Sequence, residues 1–168
     1  MNILETERLL LRPHTEADAA DFVTLNSEAI VVQYTGDKTI HSEAEALEIF
    51  RNIVFPQYEK YDMGRLAVVL KSTGEYIGWC GIKYLEDESI YDLGYRFMPK
   101  HWGKGYATEA AQASLNEGVT HYKLSKIIAR AMPENIGSIK VMQHIGMQFL
   151  KTEIDEDGVA WEWYQFWG

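Results

Sequence analysis

Gly103 and Gly105 stand between a run that reads as a strand, Ile90 to Met98, and one that reads as a helix, Thr108 to Val119. Glycine reaches backbone angles closed to other residues and lets main chain approach a neighbour with no side chain between. The chain must therefore leave a strand, turn tightly and open a helix within a few residues. The first N–H groups of such a helix have no partner inside it and carry partial positive charge. The turn is either a receptor for phosphate or pyrophosphate or a plain strand–helix connection with glycines for packing. Lys100, His101 and Lys104 lie in the same stretch of an otherwise acidic chain. A Walker loop is absent. Thr108 stands where a dinucleotide fingerprint would have its third glycine.

The rest of the pattern places this turn in a mixed sheet. Arg8 to Arg12 reads as a first strand, and Thr15 as the cap of a helix running to about Asn26. Ser42-Glu43-Ala44-Glu45 is a capping box for a second helix towards Lys60. Arg65 to Leu70, Tyr76 to Ile82 and Ile90 to Met98 are three strands joined by short turns, an antiparallel meander. After the glycine turn come a helix, a strand from Ile127 to Met132, a helix from Ser138 to Ile145 ended by Gly146, and a hairpin turning at Asp155 to Gly158. A helix between two strands requires a crossover, so the sheet is mixed. The reading is α+β (α/β): about seven strands, mostly antiparallel, in a single domain over residues 1–168.

Composition narrows the function. The length of 168 residues suits one domain with its own core. A net charge of −9 argues against nucleic acid as a partner; it is compatible with a cationic partner such as an amine and equally with a role in solubility alone. No apolar run approaches a membrane span. Met1 to Glu5 lack a signal-peptide pattern, and the single Cys80 sits in an apolar strand. A cytoplasmic location and an inert thiol follow as expectations. No Cys/His cluster has zinc spacing, so no metal is expected. The five histidines form no Ser/His/Asp pattern, and Glu86-Asp87-Glu88 reads as a solvated turn or the rim of an amine site.

Two segments carry a family resemblance. Trp102-Gly103-Lys104-Gly105-Tyr106-Ala107-Thr108-Glu109-Ala110 comes first, then Asn135-x-x-Ser138-x-x-Val141-Met142 before Gly146-Met147. With Glu7 to Pro13, they resemble the GNAT N-acetyltransferase superfamily, and within it the ribosomal-protein N-terminal acetyltransferase-like branch. The resemblance implies the GNAT fold, with helices on both faces of the sheet and strands splayed beside the glycine turn. It implies acetyl-CoA as co-substrate and a primary amine, on a protein N-terminus or a small molecule, as acceptor, by direct attack in a ternary complex. A non-catalytic acyl-CoA sensor of the same fold is the alternative, and a nucleotide-binding domain using the same turn a further one. A homodimer packed through the aromatic C-terminal strand is also open.

The resemblance also distributes roles. It places the pyrophosphate on backbone N–H groups of Gly103, Lys104, Gly105, Tyr106 and Ala107, with the Thr108 hydroxyl nearby. Lys100 stands where the family usually has Gln or Arg and would meet phosphate as a point charge. Main chain at Phe97 and Met98 would pair with the pantetheine arm and supply an oxyanion donor. Asn135 would bond the pantetheine amides or cap the following helix, or both.

Asp92 is the candidate base, on a strand face with Gly94 and Arg96; Gly94 would leave open space beside it. Otherwise Asp92 is one end of a cross-strand ion pair with Arg96 or Lys83. Many relatives use a tyrosine acid where this chain has Met142. Ser138 is then the candidate acid, or a hydroxyl in a first helical turn, with Tyr106, Tyr95 and Tyr91 in reserve.

Overall fold

The computed structural model describes Met1 and residues 3–168; of the N-terminal pattern read above, Asn2 lies outside the described residues. An eight-stranded sheet has the order β1-β2-β3-β4-β5-β6-β8-β7. The strands are β1 (Leu4–Glu5), β2 (Leu9–Arg12), β3 (Arg65–Leu70), β4 (Tyr76–Leu85), β5 (Ile90–Phe97), β6 (Lys126–Ala131), β7 (Gln148–Ile154) and β8 (Ala160–Trp167). The count exceeds the expected seven by β1. Its two residues pair with Leu10 and Leu11 and are too short to show an alternating pattern.

Every neighbouring pair is antiparallel except β5–β6. The helix between those two strands, α5 (Tyr106–Thr120), makes the crossover.

Helices cover both faces. Ala110, Ala111 and Leu115 of α5, and Met142 of α6 (Ile136–His144), pack with Leu9, Leu11, Ile77 and Cys80 in the main core. On the other side lie α1 (Ala19–Asn26), α2 (Ala29–Val32), α3 (Glu43–Ile49) and α4 (Phe55–Tyr61). Phe22, Ala46, Phe50 and Val54 form one cluster there; Leu25, Val31 and Met98 belong to another. The long helix expected from Ser42 is interrupted by five residues of wide π-type turn, Phe50–Val54.

The expected caps form. Glu45 reaches back to the Ser42 N–H at 2.9 Å, and Asp18 to the Thr15 N–H at 2.8 Å. Gly146 sits at φ +86 beyond α6, where its N–H and that of Met147 close the last turn. Among the described residues no helix is long and apolar enough to cross a membrane.

One irregularity positions everything that follows. β5 and β6 share a single register pair, Asp92 with Ile128. Beyond it β5 stays with β4 as far as Phe97, and β6 follows β8 to Ala131. The sheet is split from the middle of β5 to the glycine turn.

Candidate active site

The split exposes one side of a strand. The Met98 N–H donates to the Ile77 carbonyl at 2.9 Å, and hydrogen-bonded pairs alternate along an antiparallel ladder. The N–H groups of Tyr95 and Phe97 therefore face away from β4, into the gap. Of the two residues expected to meet the pantetheine arm, Phe97 offers its amide there. Met98 is buried, and its carbonyl already accepts the His101 N–H at 2.9 Å. The Phe97 carbonyl accepts the Trp102 indole N–H at 2.7 Å, which anchors the glycine turn to the end of β5.

At that turn Gly103 and Gly105 have φ +72 and +80, angles that strain a residue with a Cβ. Gly105 is the N-cap of α5, and among the described residues no side chain caps the helix. The N–H groups of Tyr106, Ala107 and Thr108 thus start the helix without a capping partner. They open into a cleft of about 550 Å³ whose walls include Phe97, Gly103, Gly105, Thr108, Asn135 and Ser138.

Lys100 and Lys104 do not line this cleft. The Lys100 amine is drawn to Glu75 on the β3–β4 turn. Lys104 contributes its carbonyl to Arg8, at 2.9 Å. Arg8 also bonds Glu109 through Nε at 2.7 Å and lies 4.5 Å from the Tyr106 ring. It ties the turn to the connection leading into β2 and to the helix it starts. Nothing local marks that role, because Arg8 and Lys104 meet across 96 positions of sequence. His101 is buried beside Tyr106, with neither ring nitrogen in a well-aligned hydrogen bond, although Nε2 lies 3.3 Å from Glu75.

A second cavity of about 450 Å³ lies at the other side of the split, walled by Asp92, Trp79, Arg130, Trp161 and Trp163 among others. The two cavities share Tyr34, Thr35, Tyr95, Arg96, Asn135 and Ser138. At this common wall the Tyr95 hydroxyl lies 2.9 Å from both the Ser138 Oγ and the Ser138 carbonyl. Burial pushes the Tyr95 phenol well above its usual range, with the Ser138 bond working the other way, so it stays protonated at neutral pH. Asn135 caps α6 by accepting the Ser138 N–H at 3.3 Å. Met142 is fully buried.

The surroundings of Asp92 differ from both expectations. Its partner is neither Arg96 nor Lys83 but Arg65, at 2.5 Å, with Arg130 Nε at 3.7 Å. Arg65 faces Gly81 in register, and Gly81 faces Gly94. The two glycines leave a lane across the sheet along which the guanidinium reaches Asp92. A Cβ on Gly94 would lie 2.5 Å from Arg65 Nη2. The space expected beside Gly94 is therefore filled by a cation.

Arg96 turns instead to Asp37 at 2.5 Å and to the Asn26 amide oxygen at 2.6 Å. Lys83 is opposite Asp92 in register, and burial, then Arg65, pull its amine below the usual range. Cys80 is wholly buried, its thiol pushed up by burial to about 11. The aromatic strand β8 is not an edge. Its Trp161 and Trp163 wall the second cavity, while β7 is exposed along its length.

Comparison with known proteins agrees with this layout. Residues 8–148 match the model of the acetyltransferase (GNAT) domain. YnaD of Bacillus subtilis (strain 168), described as an uncharacterized N-acetyltransferase, is 31% identical over 166 residues, 97% of this chain and 94% of that protein. The crystal structure of a GNAT-family acetyltransferase from Bacillus anthracis superposes with a TM-score of 0.86 at 26% identity, covering 99% of this chain and 98% of that one. RimL, a ribosomal alpha-N-protein acetyltransferase solved with coenzyme A, shares the fold with a TM-score of 0.86 at 14% identity over 99% and 98% of the two chains. The chain belongs to the GNAT N-acetyltransferase superfamily and is an N-acetyltransferase.

Proposed function

We propose that this chain moves an acetyl group from acetyl-CoA to a primary amine by direct attack, with both substrates bound at once. The observation that carries the reading is the pair of cavities meeting at Tyr95, Asn135 and Ser138. One contains the uncapped start of α5 and suits a diphosphate. The other is separated from it only by that wall, so a second reactant is held beside the first and orientation contributes to rate.

The residues fit the co-substrate. The N–H groups of Tyr106, Ala107 and Thr108, freed of side chains by Gly103 and Gly105, would hold the diphosphate. The gap-facing Tyr95 and Phe97 amides would take the pantetheine arm as an added strand, and Phe97 would face developing oxyanion charge. When bound, acetyl-CoA supplies an activated thioester, whose C–S bond gives way to the new C–N bond.

Asp92, already tied to Arg65, acts on the incoming amine through a water that it orders rather than as a direct base. Tyr95 and Ser138 form the route by which the departing sulfur receives a proton. Cys80 is buried and lines neither cavity, so it offers no thiol as an acetyl carrier. The acceptor class extends from small amines to protein N-termini, and a homodimer would form through the exposed β7 rather than through β8.

Initial rates of thiol release, with acetyl-CoA and amine varied together, test the ordering. Intersecting double-reciprocal lines are expected; parallel lines would rule out direct attack. Tight CoA binding with no release across an amine library would instead mark an acyl-CoA sensor.

A further inference from the structure

The second cavity has a charge pattern that selects among amines. Four carboxylates line it: Glu88, Asp92, Glu153 and Asp155. Glu88 is bonded by Arg130 at 3.0 Å, Asp92 by Arg65 at 2.5 Å, and Glu153 by Lys151. Asp155 alone has no cationic partner among the described residues. Its oxygens accept the Trp161 indole N–H at 2.8 Å and the N–H groups of Asp157 and Val159 at 3.0 and 2.9 Å. Those bonds, the indole's first, hold its carboxyl below the usual range and keep it charged.

Three guanidiniums, Arg65, Arg96 and Arg130, line the same space. Two aromatic rings are already served by cations. Arg65 and Arg96 sit over Trp79 at 5.4 and 5.1 Å, and Arg130 and Lys151 over Trp163 at 4.7 and 4.4 Å. Trp161 lies near Gly36, beside the Tyr34–Thr35 wall, and among the described residues no cation sits over it.

We propose that the acceptor is a monoamine on an aromatic or aliphatic body, admitted by the single unmatched charge of Asp155 and packed on Trp161, and that polyamines are excluded. This rests on the acetyl-transfer reading above. A second ammonium would meet a lining whose remaining carboxylates are already neutralised and whose cations repel it. Like-charge juxtaposition and broken ion pairs both oppose entry. A flat apolar body gains area against the half-buried Trp161 indole where it walls the cavity.

The test measures thiol release by the whole chain with phenethylamine and phenylalaninamide against spermidine and kanamycin, with calorimetry of CoA binding alongside. The monoamines are expected to exceed the polyamines in kcat/KM by about tenfold or more. Trp161→Ala should raise the phenethylamine KM by about tenfold, more than it lowers kcat, with CoA affinity unchanged. Should that variant fold poorly, Asp155→Asn should raise the same KM. Spermidine or kanamycin matching the monoamines would overturn the inference. So would an unmoved KM in a folded variant, or a chain that binds CoA yet turns over no monoamine. Absence of CoA binding would instead overturn the acetyl-transfer reading itself.

Discussion

Tyr95 combines three properties: its hydroxyl is at the wall between the cavities, bonded to Ser138, and kept protonated by burial. A donor placed there outlasts the pH range in which most acids have already ionised. Because the burial that keeps the phenol protonated also makes it a weaker acid, Tyr95→Phe is expected to lower kcat by about 10²-fold, the lower end of what a positioned acid supplies. CoA affinity by calorimetry should stay near that of the unaltered chain. Loss of affinity and rate in equal measure would show instead that Tyr95 only supports α6. The sequence offers Tyr95 only as one of three reserve acids, with Tyr106 and Tyr91. Its bond to Ser138 is not legible there, since the two are 43 positions apart. The same holds for Arg65 and Asp92. Sequence shows two glycines in neighbouring strands, but only the register aligns them into a passage for a guanidinium.

At the scale of elements, signals confined to a few adjacent residues were readable and those made across the sheet were not. The caps at Thr15, Ser42 and Gly146, the hairpins and the glycine turn all declare themselves within five or six positions. The four residues of α2 have no comparable local mark, whereas the π-type turn Phe50–Val54 runs up to Pro56, whose ring and missing N–H interrupt the regular ladder at Asn52. Lys100 shows the limit in the other direction. Its place before the turn suggested phosphate, yet Glu75 on the adjacent hairpin claims it. The turn itself can be tested. Gly105→Ala puts a Cβ on a residue at φ +80, with Arg8 Nη2 3.3 Å from it. The left-handed angle costs a side chain about 1–2 kcal/mol. We expect calorimetry to show CoA affinity reduced by about tenfold, as the start of α5 shifts to relieve the strain. Unchanged affinity in this variant would remove the turn from the diphosphate site.

The whole molecule has a pH dependence that its opening layer imposes. His14 is buried among Phe22, Phe50 and Tyr76 and bonds Tyr58, Tyr76 and the Arg65 carbonyl. Burial, opposed by that carbonyl, lowers its pKa from 6.5 to about 4. Between those values the unfolded chain binds a proton that the folded one refuses. Stability from this group is therefore full above pH 6.5 and is lost as pH falls towards 4, in all about 3 kcal/mol. Urea unfolding at pH 7 and 4.5 should show that loss in the natural chain, and His14→Gln should flatten it. An equal loss in the variant would assign the acid sensitivity to other groups.

Tyr34 and Thr35 stand over both cavities, and Arg96 beneath them is tied to Asp37 two residues further on. One short tether thus roofs two chambers. Whatever the first guest does to settle that roof, the second inherits, and by thermodynamic reciprocity each guest strengthens or weakens the other to the same degree. The coupling between the two guests is then a property of the short stretch from Tyr34 to Asp37 rather than of either chamber alone.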